Sequence, residues 1–200
     1  MKIDNYEVYD LVESIVASGL PMTAEYQTAK FKETVENLTF EGGLQSSPHF
    51  KRACKLAANP AGSGHNNFLS GIVVSANVTA TNVWWMQFER YHFAQIVSSQ
   101  SKMHRLQQML AGEGTGSFHP KVHPDFVPYS ECMEDYEELV YNCPCGLELT
   151  ARITTNYLQL KTMYNQRKNH KLKEWRDFCG WIEKLPFAAE FITGKKELEK

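Results

Sequence analysis

The stretch from Gly64 to Arg105 decides the fold, and it reads GHNNFLSGIVVSANVTATNVWWMQFERYHFAQIVSSQSKMHR. A turn rich in glycine and asparagine opens it, and a strict alternation of apolar with small, mostly polar residues follows. Such alternation predicts a half-buried strand. Its buried face consists of Ile72, Val74, Ala76 and Val78, and its other face of Val73, Ser75, Asn77 and Thr79.

A helix is predicted directly after this strand. Thr81 or Asn82 can cap its first turn with a side-chain oxygen. Gln87 and Arg90 follow three residues apart, a spacing that places two side chains on one helical face. We therefore expect them to reach a common anionic ligand. The neighbouring aromatic residues are interpreted as core, and they are Trp84, Trp85 and Phe88.

Length and composition limit the classes of protein and of partner to which such a site can belong. The 200 residues predict one domain, residues 1–200, with room for a substantial core. A net charge of -2 gives no electrostatic reason to bind nucleic acid. No apolar run approaches the roughly 20 residues that span a bilayer, and the N-terminus has no signal-peptide core. We expect a cytoplasmic protein that binds neither nucleic acid nor membrane, with its five cysteines reduced.

Three scaffold helices are predicted before the Gly64 stretch. Apolar residues recur at helical spacing over residues 5–18 and stop at Gly19. A second helix begins after a Thr23 cap and ends at Gly42-Gly43, and a short third helix covers Phe50 to Ala58. Their apolar stripes are typical of helices that pack against a core.

Glycine and proline are dense in the segment GEGTGSFHPKVHPDFVP, residues 112–128, which follows a brief helix after Arg105. This density predicts a mobile loop without regular structure. The segment lacks the Gly-Lys-Ser/Thr of a phosphate-binding loop, and its two histidines lack further ligands, so we predict no metal site. The acidic run Glu131 to Glu138 is interpreted as a solvated helix face, and Cys143-Pro-Cys145 as a turn with two incidental thiols.

A long C-terminal helix is predicted from a stripe of residues at helical spacing. The stripe consists of Ile153, Tyr157, Leu160, Tyr164, Arg167 and His170. Its position aims Arg167 inward. An inward guanidinium either binds a ligand such as a phosphate in a bidentate manner or forms an internal ion pair. Both interpretations of Arg167 stay open.

Three segments together resemble the flavin-dependent thymidylate synthases. They are GSGHNNF, WWMQFERYHFAQIVSSQS and NYLQLKTMYNQRKNHKLKEW. The family pattern has a Gly-His loop, then Gln-x-x-Arg-His-Arg, then a Ser-x-Arg-Tyr end, and later a helix with an inward arginine. The match covers roughly residues 60–105 and 140–185. His65, Gln87 and Arg90 fall at the family's intervals without a gap.

The resemblance implies a role for each matched residue. The implied cofactor-binding residues are His65, Asn67, Tyr91, His92, Asn156 and His170. The implied substrate-binding residues are Gln87, Arg90, Arg167 and, after a one-residue slip, Ser101. Of these, Arg90 and Arg167 are also the implied catalytic residues.

The chain departs from the family pattern at several places, among them Ser70, where the family loop has a glutamate, and the region near Val140, where the family has an arginine. Arg-His-Arg reads Arg90-Tyr91-His92 here, and the terminal Arg-Tyr reads Met103-His104. His92 and His104 are among the residues able to supply positive charge from new positions. Matched residues also have structural interpretations: His65 can close a turn, and Arg90 can pair with an acid on the surface.

The resemblance also implies a fold and a reaction. The fold class is α+β, with a sheet core flanked by long helices, in a homotetramer whose active sites form between subunits. The reaction transfers a one-carbon unit to C5 of a pyrimidine nucleotide, by default dUMP to dTMP. FAD is the implied cofactor, with NADPH and methylenetetrahydrofolate as co-substrates. Two alternatives stay open: a relative that makes another C5-modified pyrimidine nucleotide, and a non-catalytic nucleotide-binding protein on the same scaffold.

Overall fold

A computed structural model describes residues 1–40, 43–60, 62–113, 118–133 and 135–194. Within these ranges the chain forms two compact units. Unit 1 comprises Met1–Tyr6 and Ala76–Thr154, and unit 2 comprises Glu7–Ser75 and Thr155–Lys200. The boundaries between the units fall inside three of the strands.

The strands are β1 (Lys2–Tyr9), β2 (Val73–Thr81), β3 (Gln95–Ser99) and β4 (Glu148–Asn156). They form a sheet in the order β1-β2-β4-β3. β3 pairs antiparallel with β4, and the register shifts between Ile96 and Ser98. Val97 is therefore an extra residue on this edge strand, which is the definition of a bulge. The sequence pattern did not predict β3.

The helices of the described residues are α1 (Leu11–Ala17), α2 (Thr28–Phe40), α3 (Pro48–Ala57), α4 (Asn82–Phe88), α5 (Lys102–Gln108), α6 (Phe126–Ser130), α7 (Tyr136–Asn142), α8 (Tyr157–Arg167) and α9 (Lys173–Ile182). Short 3₁₀ or π turns cover Leu20–Met22, Leu44–Ser46, Asn67–Ser70, Met109–Glu113 and Ala189–Thr193. In this part of the chain the longest helix is α2, with 13 residues. The α+β class is confirmed, and the helices of the described residues are 5 to 13 residues long.

The strand predicted at the centre of the Gly64 stretch is confirmed. Every second residue from Ile72 to Ala80 is buried, and the residues between them are half-buried. The half-buried side is satisfied within the sheet. The hydroxyls of Thr79 and Thr150 lie 2.8 Å apart, and Arg152 donates to the side-chain oxygen of Asn77 at 3.3 Å.

Helix α4 begins directly after β2, as predicted, but its N-terminus is capped by another segment. Thr81 occupies the N-cap position, and its side chain makes no capping hydrogen bond. The Asn82 amide instead donates to the Leu147 carbonyl at 2.9 Å, and the Val83 amide to the Cys145 carbonyl at 3.2 Å. The turn after Cys143 therefore supplies the acceptors that a side-chain cap would provide.

The helix predicted over residues 5–18 is wrong in its first half. Residues Lys2–Tyr9 form β1, and only Leu11–Ala17 are helical. Asp10 has a φ of 56°, in the left-handed region, and this residue separates strand from helix. Pairing in the sheet outweighs the helical spacing of the side chains here. The second predicted helix starts later than Thr23, at Thr28, and its predicted end at Gly42 lies outside the described residues.

The continuous C-terminal helix is also wrong. Ile153 belongs to β4, and α8 begins only at Tyr157. The β-branched run Ile153-Thr154-Thr155 favours a strand, and Asn156 is still extended, with φ −140° and ψ 167°. Within α8 the predicted stripe is confirmed, since Tyr157, Leu160 and Tyr164 are buried.

The predicted mobile loop is packed over the part that the structure describes. Residues 114–117 lie outside the described ranges. Phe118 and Phe126 are buried in a cluster of unit 1, where their rings meet edge to face with centroids 5.4 Å apart. The other buried members of this cluster are Leu106, Met109, Leu139, Val140 and Leu147. Aromatic burial therefore fixes a segment whose glycine and proline content indicated irregular structure.

The core of unit 2 is formed around α8. This helix packs against α9 and against the turn Ala189–Thr193. The hydroxyl of buried Tyr157 donates to the Pro186 carbonyl at 2.8 Å, and that of Tyr164 to a carboxylate oxygen of Glu183 at 2.6 Å. These bonds satisfy the polar ends of two core aromatic residues and fix the chain that follows α9.

Candidate functional site

The Gly-His loop of unit 2, residues 62–67, has one buried residue, Asn66, between two exposed ones. Gly62 and Gly64 have φ values of 87° and 79°, a conformation that favours glycine. Asn66 is fully buried, and its amide donates to the carbonyls of Asn59 at 2.9 Å and Pro60 at 3.2 Å. His65 and Asn67, the predicted flavin contacts, are exposed on either side. The loop thus anchors Asn66 and presents His65 and Asn67 to solvent.

Asn156 has a structural partner. It is the N-cap of α8, and its side-chain oxygen accepts from the Gln159 amide at 2.9 Å. The sequence placed this residue inside a helix, where the cap was not visible. The cap uses the side-chain oxygen of Asn156 as an acceptor, so the NH₂ group remains as a donor for a ligand.

Arg167 and His170 lie together at the end of α8. Arg167 is the last residue of α8, and its guanidinium carbon lies 4.7 Å from the centroid of the Trp175 ring. His170 follows in the turn before α9 and meets the same ring edge to face, with centroids 6.3 Å apart. The structure therefore brings these two predicted site residues together, although His170 is not on the helix as predicted.

The ring of His170 is biased toward its neutral form. Its Nδ1 accepts a hydrogen bond from the Leu172 amide at 3.1 Å, so the neutral ring carries its proton on Nε2. Burial lowers the pKa of His170, and the positive charge of Arg167 lowers this pKa further. A neutral imidazole with its proton on Nε2 is a hydrogen-bond donor rather than a cation at neutral pH.

In unit 1, α4 ends too early for Gln87 and Arg90 to share a helical face. The helix ends at Phe88, and Arg90 lies exposed in the turn that follows. Gln87 is half-buried, and its amide donates to the Val83 carbonyl at 3.2 Å. The argument from helical spacing is therefore wrong for this pair.

The remaining predicted residues of unit 1 differ in exposure. Tyr91 is buried, whereas the adjacent His92 is exposed. Ser101 is half-buried at the N-cap position of α5, where its side chain makes no capping hydrogen bond. The core interpretation of Trp84, Trp85 and Phe88 is confirmed, because all three are buried, with Trp84 stacked on Phe88 and Trp85 edge to face with both.

A cavity of about 590 Å³ lies in unit 2 and was not foreseen from the sequence. Its lining includes Cys54, Lys161, Asn165, Glu190, Phe191 and Ile192. Lys161 is half-buried, and its ammonium donates to the carbonyls of Ala57 and Asn59, the latter at 3.0 Å. Burial lowers the pKa of Lys161. The sequence did contain one indication of this role for Lys161. It lies four residues after Tyr157 and three before Tyr164, a spacing that places it beside the buried face of α8.

The predicted site residues thus divide between the two units. Those in unit 2 are His65, Asn67, Asn156, Arg167 and His170, and those in unit 1 are Gln87, Arg90, Tyr91, His92 and Ser101. Over the described ranges, no group of three or more His, Cys, Asp or Glu side chains is arranged to hold a metal ion. The cysteines in these ranges are free thiols, including Cys143 and Cys145. None of the described helices is long and apolar enough to cross a membrane.

The fold is similar to that of flavin-dependent thymidylate synthases. One similar structure is thymidylate synthase X of Helicobacter pylori with FAD and dUMP, at a TM-score of 0.63 and 13% identity, covering 96% of each chain. A second structure of the flavin-dependent thymidylate synthase from Helicobacter pylori, also complexed with FAD and dUMP, gives a TM-score of 0.56 at 13% identity. It covers 96% of this chain and 97% of that one. No protein-family model matches the chain, and no curated protein matches it in sequence.

Proposed function

We propose that this protein is a flavin-dependent enzyme that transfers a one-carbon unit to C5 of a pyrimidine nucleotide, with dUMP as substrate and dTMP as product. The observation that carries the proposal is the shared fold, which extends over 96% of this chain and 96% of an enzyme solved with FAD and dUMP. In the proposal FAD is the cofactor, and NADPH and methylenetetrahydrofolate are co-substrates.

The residues of unit 2 fit a cofactor that needs hydrogen-bond donors. His65 and Asn67 are exposed on a loop that Asn66 anchors, and the Asn156 amide and His170 Nε2–H are further donors. When bound, FAD supplies the hydride chemistry, and the side chains contribute orientation and exclusion of water. The cavity of about 590 Å³ beside Lys161 lies within the range of roughly 300–1,000 Å³ typical of ligand pockets.

In line with the family resemblance, the nucleotide is assigned to Gln87, Arg90 and Ser101, and Arg167 is assigned to the nucleotide of a neighbouring active site. Arg90 is an exposed guanidinium, and Arg167 is held against Trp175 in a fixed orientation. A fixed guanidinium binds a phosphate through two parallel hydrogen bonds and stabilises negative charge that develops on a pyrimidine ring. His92 is the exposed residue of the replaced motif and is assigned to the cofactor, as is its buried neighbour Tyr91.

Flavin content tests the proposal. We expect the purified protein to be yellow and to release FAD on denaturation. The variant His65→Ala should lose most of the flavin, whereas Ser63→Ala, an exposed residue of the same loop, should retain it. A colourless protein that shows neither a flavin spectrum nor a thermal shift with added FAD would contradict the proposal.

A homotetramer is the assembly that we propose, in line with the family resemblance. Large apolar side chains that are well exposed in the monomer support an assembly, among them Met22, Phe40 and Phe93 at 88%, 85% and 71%. Closed symmetry with isologous contacts would cover such side chains. Light scattering should give four times the chain mass, and a stable monomer at micromolar concentration with FAD bound would exclude the tetramer.

A second candidate product is favoured by the replaced motif. Where the family has Arg-His-Arg, this chain has one exposed guanidinium, Arg90, followed by buried Tyr91 and exposed His92. A change of charge next to the substrate alters which pyrimidine is accepted. Product analysis by mass spectrometry with dUMP and with other pyrimidine monophosphates separates dTMP synthesis from another C5 modification. A protein that binds the nucleotide without flavin or turnover would be the non-catalytic alternative.

A further inference from the structure

The carbonyls at and just beyond the end of α3 accept hydrogen bonds from the side chains of Asn59 and Lys161. A helix leaves its last four carbonyls without intrahelical partners. The Asn59 amide donates to the Lys55 and Leu56 carbonyls, each at 3.1 Å. Lys161, more than a hundred residues further along the chain, donates to the carbonyls of Ala57 and Asn59.

Lys161 is bound to carbonyls rather than to a carboxylate. It is half-buried, and in the described part of the chain no Asp or Glu lies within ion-pairing distance of its ammonium. The carbonyl end of α3 carries the negative end of the helix dipole, which stabilises a cation placed there. The charge of Lys161 is therefore compensated by the backbone that it holds.

One carbonyl connects Lys161 to the Gly-His loop. The Asn59 carbonyl accepts from Lys161 at 3.0 Å and from the Asn66 amide at 2.9 Å, which uses both of its lone pairs. Asn66 is fully buried, and its own oxygen has no hydrogen-bond partner among the described residues. The amide NH₂ of Asn66 consequently anchors the loop to two acceptors, the Pro60 carbonyl and the Asn59 carbonyl that Lys161 also binds.

We propose that Lys161 is a positioning residue, which fixes the Asn59 carbonyl and thereby orders the loop that presents His65 and Asn67. The inference rests on the proposed function in so far as those two residues contact the flavin. Gly62 and Gly64 give the loop conformational freedom that it must lose before it presents two side chains in one geometry. Lys161 removes part of that freedom in advance and so raises the affinity of the loop for its ligand.

The chain offers a matched set of variants. Lys161→Met removes the ammonium and retains an unbranched side chain of similar length, and Lys161→Arg keeps donors that reach the same carbonyls. Lys55→Met makes the same substitution at an exposed lysine of α3 and serves as the control. Asn66→Asp replaces the amide NH₂ that donates to the Asn59 carbonyl by a carboxylate oxygen, and the side chain keeps its size.

The experiment measures amide hydrogen exchange over residues 62–67 and FAD affinity in the full-length protein. We expect Lys161→Met to speed exchange in this loop at least about tenfold and to weaken FAD binding by about 10- to 150-fold, the range for a lost hydrogen bond to a charged group. Lys161→Arg should keep loop exchange and FAD affinity close to those of the wild type, and Lys55→Met should change neither quantity. Asn66→Asp should speed exchange in the loop as Lys161→Met does. A role limited to stability would speed exchange everywhere and leave FAD affinity unchanged under conditions where the variant is folded.

The two readouts separate this inference from the proposed function. Unchanged exchange over residues 62–67 in both Lys161→Met and Asn66→Asp would overturn the positioning role, whatever the FAD result. If Lys161→Met fails to fold, Asn66→Asp decides in its place, because it removes the donor on the other side of the same carbonyl. Faster loop exchange in a protein that binds no FAD would support the positioning role and reject the flavin function.

Discussion

The guanidinium of Arg167 lies over the fully buried indole of Trp175, with its carbon 4.7 Å from the ring centroid. Arg167 ends α8 and Trp175 lies in the first turn of α9, so this contact closes the turn between the two helices. A cation held on an aromatic ring has a fixed orientation and keeps its hydrogen-bond donors at the rim of the guanidinium plane. Arg167 consequently has a structural role that is independent of any ligand.

Replacing Arg167 separates these two roles. Arg167→Ala should lower the free energy of unfolding by about 1 kcal/mol through loss of the cation–π contact. If Arg167 contacts the nucleotide phosphate, calorimetric titration should also show dUMP binding weakened by about 10- to 150-fold, with partial recovery in Arg167→Lys. Lys171→Ala, an exposed cation in the same turn, is the control. Lost stability with unchanged dUMP affinity would assign Arg167 to the fold alone.

Asn156 should behave as a helix cap. Asn156→Ala removes the acceptor of the Gln159 amide and should lower the free energy of unfolding by about 1 kcal/mol, as measured by urea denaturation. Asn156→Asp and Asn156→Ser keep a capping oxygen and should retain most of the stability. A loss in Asn156→Asp as large as in Asn156→Ala would show that the amide NH₂, rather than the capping oxygen, carries the stabilisation.

The segment around Phe118 should be an integral part of the core of unit 1. Phe118→Ala removes a buried ring that packs on Phe126, and a loss of about 3–5 kcal/mol in the free energy of unfolding is expected. Tyr129→Ala, an exposed aromatic residue of the neighbouring helix α6, should change stability by less than about 0.5 kcal/mol. A small effect of Phe118→Ala would mean that the segment is mobile after all.

Stability should fall on mild acidification, in part because of His49. Its Nδ1 lies 3.1 Å from a guanidinium nitrogen of Arg52, which can only donate, so the ring accepts and is neutral. Burial lowers the pKa of His49 below its ordinary value of 6.5, and Arg52 lowers this pKa further. His49 therefore binds a proton more readily in the unfolded chain than in the folded one. The stability that neutral His49 contributes is complete above about pH 6.5, and it is lost as the pH falls through the pKa that His49 has in the folded protein.

The variant His49→Gln isolates this contribution. Thermal unfolding between pH 7.5 and 5, a range set by the ordinary histidine pKa, should show a shallower decline for His49→Gln than for the wild type. The pKa of His170 is lowered as well, so a residual decline of the same sign should persist in the variant. Identical pH profiles for wild type and His49→Gln would contradict the role of His49.

Local pattern alone identifies β2, the short helix α3 and the buried face of α8. In each case apolar residues recur in the segment at a regular interval, so that one face of the element is apolar. This face is buried whichever segment packs against it, and the sequence of the element alone therefore predicts its burial. The resemblance to the flavin-dependent thymidylate synthases was also visible in the sequence, through His65, Gln87 and Arg90, and the fold agrees with it. Periodicity within a segment was sufficient for these three elements, whereas the resemblance came from motifs in three separate segments.

Contacts between distant segments decided the rest. Residues 2–9 form a strand because the sheet pairs them, α4 is capped by the carbonyls of Leu147 and Cys145, and buried rings fix the chain around Phe118. The same holds at the site, where Asn156 is a cap and Lys161 holds the Asn59 carbonyl. A hydrogen-bond donor or acceptor takes whichever partner the fold brings within about 3 Å, and that partner is absent from the local sequence window. Segment periodicity therefore determines which faces are buried, and the tertiary structure determines which polar group each side chain serves.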